Sequence, residues 1–315
     1  MRVLTDADVA ALAPDPIATV DLVADALRAR ARGEGDVPPK HTVHAGPRDS
    51  FANGMSATWP ERGLVGNKWI TLFPTNAARG LPTASGVLVL NDGQTGVPTH
   101  LISAAEVTAR RTAAVTGACL RSLASATGHA AYTGAGAQAR SHLQVLEALG
   151  RLEVVVYARR GEAREQLADW AAAHVPSVDL HVVATPGEAV RGAGVVITGL
   201  SIGIDGAHLD PSDVGAQTLL LPIDYASSVG PDLAATALLA SDDLDQFEAS
   251  RLAGKLGPGY PAATAWDGDL LDGDRPPGRI VCQNLGMALA DLVVGAAVAR
   301  AGDAADAGRV IDLRR

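Results

Sequence analysis

The sequence predicts an α/β protein in which a central Rossmann domain, a doubly wound parallel sheet, is joined to a second α+β domain. From residue 103 onward, short and continuously apolar strands alternate with helices. This alternation is typical of a parallel sheet that is covered on both faces. A glycine-rich turn follows the first of these strands and leads into a helix. Residues 1–100 instead indicate one helix followed by strands.

Three features define the N-terminal part. An apolar period of about 3.6 residues predicts a helix over 15–27. Apolar segments predict strands over 64–73 and 86–92. The turn Asn91-Asp92-Gly93 then favours a hairpin into 97–103.

The second part alternates between helices and strands. In chain order the predicted elements are a helix over 103–125, a strand over 130–133, a helix over 134–149, a strand over 152–157, a helix over 162–174, strands over 180–183, 194–198, 217–222 and 279–282, and a last helix over 285–300.

The composition excludes several classes of protein. A net charge of −9 disfavours a nucleic-acid partner, since that affinity comes from Lys and Arg. Two cysteines cannot form a disulfide scaffold, which favours a reducing compartment. No apolar stretch reaches the ~18 residues that a membrane span needs. The N-terminus carries two Asp where a signal peptide needs an apolar core, so we expect a cytoplasmic protein.

The turn after the strand at 130–133 reads Gly134-Ala135-Gly136-Ala137-Gln138-Ala139 and matches G-x-G-x-x-A. Gly134 would allow the tight turn, Gly136 a close approach to a pyrophosphate, and Ala139 close packing of helix on strand. The pyrophosphate would lie at the N-terminus of the helix. The motif predicts a dinucleotide site; the alternative is a purely structural turn.

The end of the next strand bears on the choice of cofactor. NAD sites usually carry an acid there, whereas NADP sites often carry an Arg. This chain has Arg159 and Arg160 at that point. We therefore favour NADP(H), with NAD(H) as the alternative if both arginines are solvated loop charges.

The most specific stretch, 66–124, resembles the ornithine cyclodeaminase/μ-crystallin family. The resemblance rests on Lys68 before Phe73-Pro74, Asn76, Gly80-Leu81-Pro82, Leu90-x-Asp92, Thr95-Gly96-x-Pro98 and Arg111-Thr112-Ala113-Ala114, with the glycine turn about twenty residues further on. It extends over roughly residues 1 to 200.

The resemblance implies a homodimer with two domains per chain. Residues 1–112 would bind substrate and form the dimer, with a C-terminal helix within 284–315 packing back on them. Residues 113–283 would form the Rossmann domain. Family chemistry occurs at a carbon bearing both nitrogen and a carboxylate, and hydride moves through the nicotinamide.

Three cations are candidates for holding the substrate carboxylate. Arg111 matches the family's carboxylate-binding arginine, and the alternative is a helix-surface charge. Lys68 interrupts an apolar strand, where an ammonium is costly unless it faces a cleft; the alternative is a snorkelling edge-strand lysine. Lys40 stands where the family commonly has an arginine.

Further candidates come from the same resemblance. Asp224 is the best match for the catalytic acid, which would act on the amine proton together with Lys68. Its alternative is a turn cap, and the unusual segment 222–228 departs from the family pattern. Thr112 would lie near the cofactor phosphates. Asn284 would approach the nicotinamide or else cap the last helix.

These assignments predict an NAD(P)H-dependent imine (ketimine) reductase or amino-acid dehydrogenase that acts on a small amino or imino acid. One alternative is an ornithine- or lysine-type cyclodeaminase that uses bound NAD and releases ammonia. Another is a μ-crystallin-like protein that binds a small ligand with NADPH.

His41 and His44 are three residues apart, but in a strand they would face opposite sides. No other His, Cys or acid stands at metal-ligand spacing near them, so we expect no metal. Cys119 and Cys282 are interpreted as core residues. The acids Asp242, Asp243 and Asp245 are interpreted as a solvated helix start.

Overall fold

The computed structural model describes residues 1–44, 46, 50–125, 127–200 and 207–313, with only the backbone at residue 77. The chain divides into two compact units. The first comprises Met1–Arg111 and Met287–Arg315, and the second Thr112–Gly286.

The strands and helices of the described residues follow in chain order. They are β1 (Arg2–Leu4), α1 (Asp6–Leu12), α2 (Pro16–Ala31), β2 (His41–His44), β3 (Phe51–Trp59), β4 (Leu64–Leu72), β5 (Ala84–Asp92), β6 (Pro98–Ser103), α3 (Ala104–Leu123), β7 (Ala130–Thr133), α4 (Ala137–Ala148), β8 (Glu153–Tyr157), α5 (Gly161–His174), β9 (Asp179–Val183), α6 (Pro186–Val190), β10 (Val195–Thr198), β11 (Leu219–Pro222), α7 (Pro231–Ala234), β12 (Leu238–Ser241), α8 (Leu244–Leu252), β13 (Ala265–Trp266), α9 (Asp267–Leu270), β14 (Ile280–Gln283), α10 (Ala288–Ala304) and β15 (Arg309–Val310).

The first unit is built on a sheet whose order, within the described part of the chain, is β15-β1-β6-β5-β4-β3-β2. Strands β2 to β6 pair antiparallel in sequence order, and the predicted hairpin joins β5 to β6. Helix α10 packs on β3, β4 and β5. Gly295 permits the close approach, because a Cβ there would overlap the Leu88 side chain. Twelve of the seventeen residues of α10 are buried, most of them in 288–299, which explains why that part of the helix is largely apolar.

The second unit contains the predicted parallel sheet, with the described strands in the order β13-β12-β14-β11-β10-β7-β8-β9. Every pairing in it is parallel. Alternate residues of one strand enter different apolar clusters: Val154 and Val156 join one, and Val155 joins the other. The sheet is thus buried on both faces, as predicted. The order reverses between β7 and β10, and ligands of such sheets bind at the carboxyl ends of the strands beside that point.

The sequence analysis placed His41 and His44 in a strand, which is β2, but it did not predict β1, β3, β12, β13 or β15. The last helix begins at Ala288, three residues after its predicted start. Among the described residues, no helix is both long enough and apolar enough to cross a membrane.

Candidate functional site

A cluster of three charged side chains lies inside the first unit. Lys68 comes from β4, Arg111 from α3 and Asp291 from the first turn of α10. Asp291 Oδ1 accepts hydrogen bonds from Lys68 Nζ at 2.6 Å and from Arg111 Nε at 3.0 Å. Lys68 Nζ also donates to Thr108 Oγ1 at 3.3 Å. The structure therefore brings together two of the cations predicted to hold a carboxylate.

Burial decides between the alternatives for these cations. Lys68 is 1% exposed and Arg111 is 6% exposed. Strand β4 pairs with a neighbour on each side, so Lys68 is not an edge-strand lysine. Arg111 is likewise not a helix-surface charge. Both alternatives are wrong.

The cluster carries more positive than negative charge. Two cations share one carboxylate, and Arg111 Nη1 and Asp291 Oδ2 are buried with no hydrogen-bond partner among the described residues. Burial lowers the pKa of Lys68 to about 7; Asp291 opposes this shift, and the charge of Arg111 adds to it. A buried guanidinium with a donor to spare favours an anionic ligand that it can bind through paired hydrogen bonds.

Lys40 lies half-buried just before β2. Its charge also lowers the pKa of Lys68, which places the third predicted cation within electrostatic range of the cluster. Since Lys is a point charge, Lys40 does not offer the planar fork of the arginine common in the family.

Asp291 is a residue that the sequence analysis missed. It is 0% exposed and anchors both cations. Its signal in the sequence is a single acid in the apolar run LADLVVGAAVA, where an unpaired carboxylate would be costly.

The glycine turn of the second unit lies between β7 and α4, at the carboxyl edge of the sheet. Gly134 has φ +127°, and a Cβ there would lie 2.5 Å from Gly199 O, so only glycine fits. Gly136 is the N-cap of α4 and supplies no side chain to cap it. An added Cβ at Gly136 would meet nothing within 4 Å among the described atoms, so the backbone is open to a phosphate.

The three residues after Gly136 differ in exposure. Ala137 is exposed at the first position of α4, Gln138 is half-buried, and Ala139 is fully buried against the core. A helix N-terminus without a side-chain cap, reached over open glycine backbone, fits the pyrophosphate of a dinucleotide. Arg159 and Arg160 follow β8 and are exposed, with Arg160 at the N-cap of α5.

Asp224 follows β11 and is 1% exposed. Its carboxylate accepts hydrogen bonds from Thr198 Oγ1 at 2.8 Å, Ser228 Oγ at 2.7 Å and the Leu200 backbone N–H at 3.2 Å. Burial raises the pKa of Asp224, while these three donors act in the opposite direction. No other predicted site residue is among its hydrogen-bond partners in the described part of the chain.

Thr112 and Asn284 are buried and bonded to each other. Asn284 Nδ2 donates to Thr112 O at 3.3 Å, and its backbone N–H donates to Pro222 O at 3.0 Å. The N-cap of α10 is Met287, so the interpretation of Asn284 as that cap is wrong.

The interpretation of Asp242 and Asp243 as solvated is also wrong, because both are 1% exposed. Asp243 caps α8 through the Gln246 N–H at 2.9 Å. Asp242 accepts from the backbone N–H groups of Leu285 and Gly286, at 3.0 and 2.7 Å. It therefore fixes the segment after β14. Of the three acids only Asp245 is exposed.

Fold and site together define a protein whose second unit is of the Rossmann type and whose first unit has a charged cluster suited to an anionic ligand. Comparison with known proteins makes this specific. The chain belongs to the ornithine cyclodeaminase/mu-crystallin family, whose model matches residues 2–201. The resemblance found in the sequence is thereby confirmed.

Two relatives illustrate the range of the family. The nodulation efficiency protein NfeD of Rhizobium meliloti is 30% identical over 312 residues, which cover 95% of this chain and 94% of that protein. A Delta(1)-pyrroline-2-carboxylate/Delta(1)-piperideine-2-carboxylate reductase of Azospirillum brasilense is 30% identical over 240 residues, which cover 68% of this chain and 74% of the reductase.

Two solved structures share the fold. A Delta(1)-pyrroline-2-carboxylate reductase of Thermococcus litoralis, in complex with NADH and L-proline, has a TM-score of 0.86 at 18% identity and covers 99% of this chain and 100% of its own. An archaeal alanine dehydrogenase dimer with bound NAD has a TM-score of 0.83 at 23% identity and covers 99% of each chain. This likeness confirms the two-domain α/β fold.

Proposed function

We propose that this protein is an NAD(P)H-dependent oxidoreductase that reduces an imine, or oxidises the corresponding amine, at the carbon next to a carboxylate. The observation that carries the proposal is the buried Lys68–Asp291–Arg111 cluster, with its surplus positive charge and a spare guanidinium donor. An anionic group on the substrate would balance the surplus charge and accept a hydrogen bond from the spare donor. The reductases and dehydrogenases among the relatives support the class of reaction.

Lys68 and Arg111 hold the substrate carboxylate, with Lys40 adding positive charge. Asp291 is a positioning residue: it fixes Arg111 through Nε and leaves Nη1 to the ligand. Lys68, with a pKa of about 7, can also give or take a proton near neutral pH.

Asp224 holds or gives the proton of the substrate nitrogen. Burial raises its pKa, so its carboxyl can be protonated closer to neutral pH than an exposed Asp. Its three donors keep the group in one orientation, which proton transfer requires.

The second unit binds a nicotinamide cofactor, which supplies the hydride when it is bound. Gly134, Gly136, Ala137 and Gln138 hold the pyrophosphate at the N-terminus of α4, and the buried Ala139 lets that helix pack closely on the sheet. Thr112 lies near the cofactor phosphates and Asn284 near the nicotinamide. Exposed Arg159 and Arg160 bind the 2′-phosphate of NADP(H), since no acid ends β8.

The protein acts as a homodimer through its first unit. The dimeric alanine dehydrogenase of the same fold supports this assembly. Light scattering of the purified protein measures the mass directly: twice 32.1 kDa is expected, and a stable monomer would contradict it.

A turnover assay tests the proposed reaction. The loss of NADPH, and separately of NADH, is followed with small cyclic and linear imino acids. Substrate-dependent loss that is faster with NADPH is expected. Bound cofactor with no loss for any imino acid contradicts the proposal. Ammonia release from ornithine or lysine with bound NAD and no net redox change would instead indicate a cyclodeaminase.

A further inference from the structure

Three potential metal ligands converge in the core of the second unit. Cys119 lies on α3, Cys282 on β14, and Asp267 is the first residue of α9. Their sulfur and carboxylate oxygen atoms all lie within 4.8 Å of one another, and each residue is at most 1% exposed. Both cysteines are free thiols. None of the three takes part in the proposed reaction.

The Asp267 carboxyl meets no strong hydrogen-bond donor. Both of its oxygens are buried without a nitrogen or oxygen donor among the described residues, and their hydrogen-bond neighbours are the Cys119 and Cys282 thiols, which are weak donors. A buried polar group without a partner costs roughly 1–3 kcal/mol, and a charged one more. Such groups in folded proteins usually mark a water, an ion or a special function. Two thiols beside this carboxyl supply the ligands that a soft cation prefers.

We propose that Cys119, Cys282 and Asp267 form a binding site for a thiophilic divalent cation of the Zn²⁺ class. Zn–S bonds of about 2.3 Å and Zn–O bonds of about 2.0–2.2 Å place tetrahedral ligand atoms roughly 3.6–3.8 Å apart. The observed spacing, within 4.8 Å, is compatible with this geometry after a small contraction. The fourth position would be taken by water. Mg²⁺ and Ca²⁺ do not fit, since they prefer oxygen ligands only.

The electrostatics of the surroundings agree with a cation. The Asp242 carboxylate, already bound by two backbone N–H groups, lies close enough to Asp267 to interact with it electrostatically. A second carboxylate near the three ligands favours a positive ion at this site. Binding of the cation would form two metal–sulfur bonds and one metal–oxygen bond and release up to three protons.

The metal would act as a structural link rather than in hydride transfer. Its ligands come from a helix that covers the sheet, from a strand within it and from the helix after β13. It would therefore join three elements that are far apart in the sequence and stabilise the second unit in proportion to its affinity.

Metal content tests the proposal without depending on activity. The protein is expressed in zinc-supplemented medium, purified without chelators and with a non-thiol reductant, and weighed intact by native mass spectrometry. One Zn²⁺ per chain is expected. We expect Cys119→Ser and Asp267→Asn to weaken binding by more than about 100-fold, since even outer partners of a metal site contribute about 10–100-fold. Asp269→Asn, an exposed acid on the same short helix, is the matched control and should keep the metal.

Cadmium identifies the ligands. Wild-type protein loaded with one equivalent of Cd²⁺ should show a thiolate-to-metal charge-transfer band in the ultraviolet. If wild-type protein carries no zinc and shows no such band with cadmium, the proposal is wrong. This outcome is read on wild-type protein alone, so it does not depend on whether a variant folds. Variants that keep wild-type zinc would also overturn the proposal, because the ion would then lie elsewhere. In either case the three side chains form a metal-free cluster in the core.

Discussion

Asp224 in the second unit and Asp291 in the first are both buried, but the two carboxyl groups are satisfied in different ways. In the second unit Asp224 accepts from three internal donors, two hydroxyls and one backbone N–H. In the first unit one oxygen of Asp291 accepts hydrogen bonds from both Lys68 and Arg111, and its other oxygen has no partner in the described part of the chain.

The difference indicates what each region is built to do. Neutral donors fix Asp224 without adding charge, so its protonation depends mainly on burial. The cluster around Asp291 keeps a surplus of positive charge, although removing these charged groups from water costs free energy. A surplus of this kind is useful only to a protein that binds an anion there. These properties support the proposed roles of Lys68 and Arg111 in binding the substrate carboxylate and of Asp224 in holding the proton of the substrate nitrogen.

Replacing Asp224 should have the largest effect. We expect Asp224→Asn to lower kcat by about 10²–10⁴-fold, which is the usual contribution of a general acid or base. The matched control is Asp232→Asn, an exposed acid on α7, which should leave kcat unchanged. If Asp224→Asn lowers only the unfolding temperature and keeps kcat, Asp224 is structural.

Replacing Arg111 tests whether the charged cluster of the first unit binds the substrate carboxylate. We expect Arg111→Gln to lower kcat/KM by about 30-fold to several thousand-fold, since truncating a buried charge partner costs about 2–5 kcal/mol. Cofactor affinity should not change. Arg110→Gln is the control on the same helix, because Arg110 pairs with Glu106 at the surface. Equal effects of the two substitutions would contradict the assignment.

Asp291 should contribute strongly to stability. Asp291→Asn leaves two buried cations without their anion, and we expect the free energy of unfolding to fall by about 3–5 kcal/mol. Asp303→Asn, on the same helix but in an exposed pair with Arg2, should cost no more than about 1 kcal/mol. Urea unfolding measures both. A loss for Asp291→Asn as small as that of the control would show that the cluster is not a buried ion-pair network.

Protonation of Lys68 should make carboxylate binding depend on pH. The free protein carries a charged Lys68 below its pKa of about 7 and a neutral one above it. The Kd of a carboxylate ligand should thus rise about tenfold per pH unit above 7. Stability of the ligand-free protein should rise over the same range, because the unfolded lysine keeps its proton to about pH 10.4. Calorimetric titration checks the affinity, and Lys68→Arg should make the profile flat.

The smallest effect concerns the cofactor. We expect the double substitution Arg159→Ser with Arg160→Ser to raise the KM for NADPH about tenfold, since a lost charge-assisted contact costs about 1.5–3 kcal/mol. The KM for NADH should stay constant. Arg151→Ser, before the start of β8, is the control. Equal changes for both cofactors would remove Arg159 and Arg160 from the 2′-phosphate.

The sequence predicted the regular parts of the fold well, because they depend on local patterns. The strands β7, β8, β10 and β11 are continuous apolar runs between helices, and they form the parallel sheet as predicted. Strand β3 was missed because Asn53 and Gly54 interrupt its apolar pattern. The segment forms a strand because it pairs with β2 on one side and β4 on the other, and neither pairing is visible in the local sequence.

The partners within the candidate sites were harder to predict. Lys68 and Asp291 are 223 residues apart, and no local period links them. Lys68 and Arg111 were found through a family motif, and Asp291 was passed over as part of an apolar helix. The same holds for Cys119 and Asp267, whose proximity arises only from the packing of α3 and α9 in the second unit.

The most direct test of the account compares two imines that differ only in the carboxylate. The rate of NADPH loss is measured with Delta(1)-pyrroline-2-carboxylate and with the same ring lacking the carboxylate, using wild-type protein and Arg111→Gln. The account predicts that wild-type protein prefers the carboxylate-bearing imine by at least about 30-fold, and that Arg111→Gln loses most of that preference. Equal wild-type rates for the two imines, or a preference that survives the substitution, would contradict it.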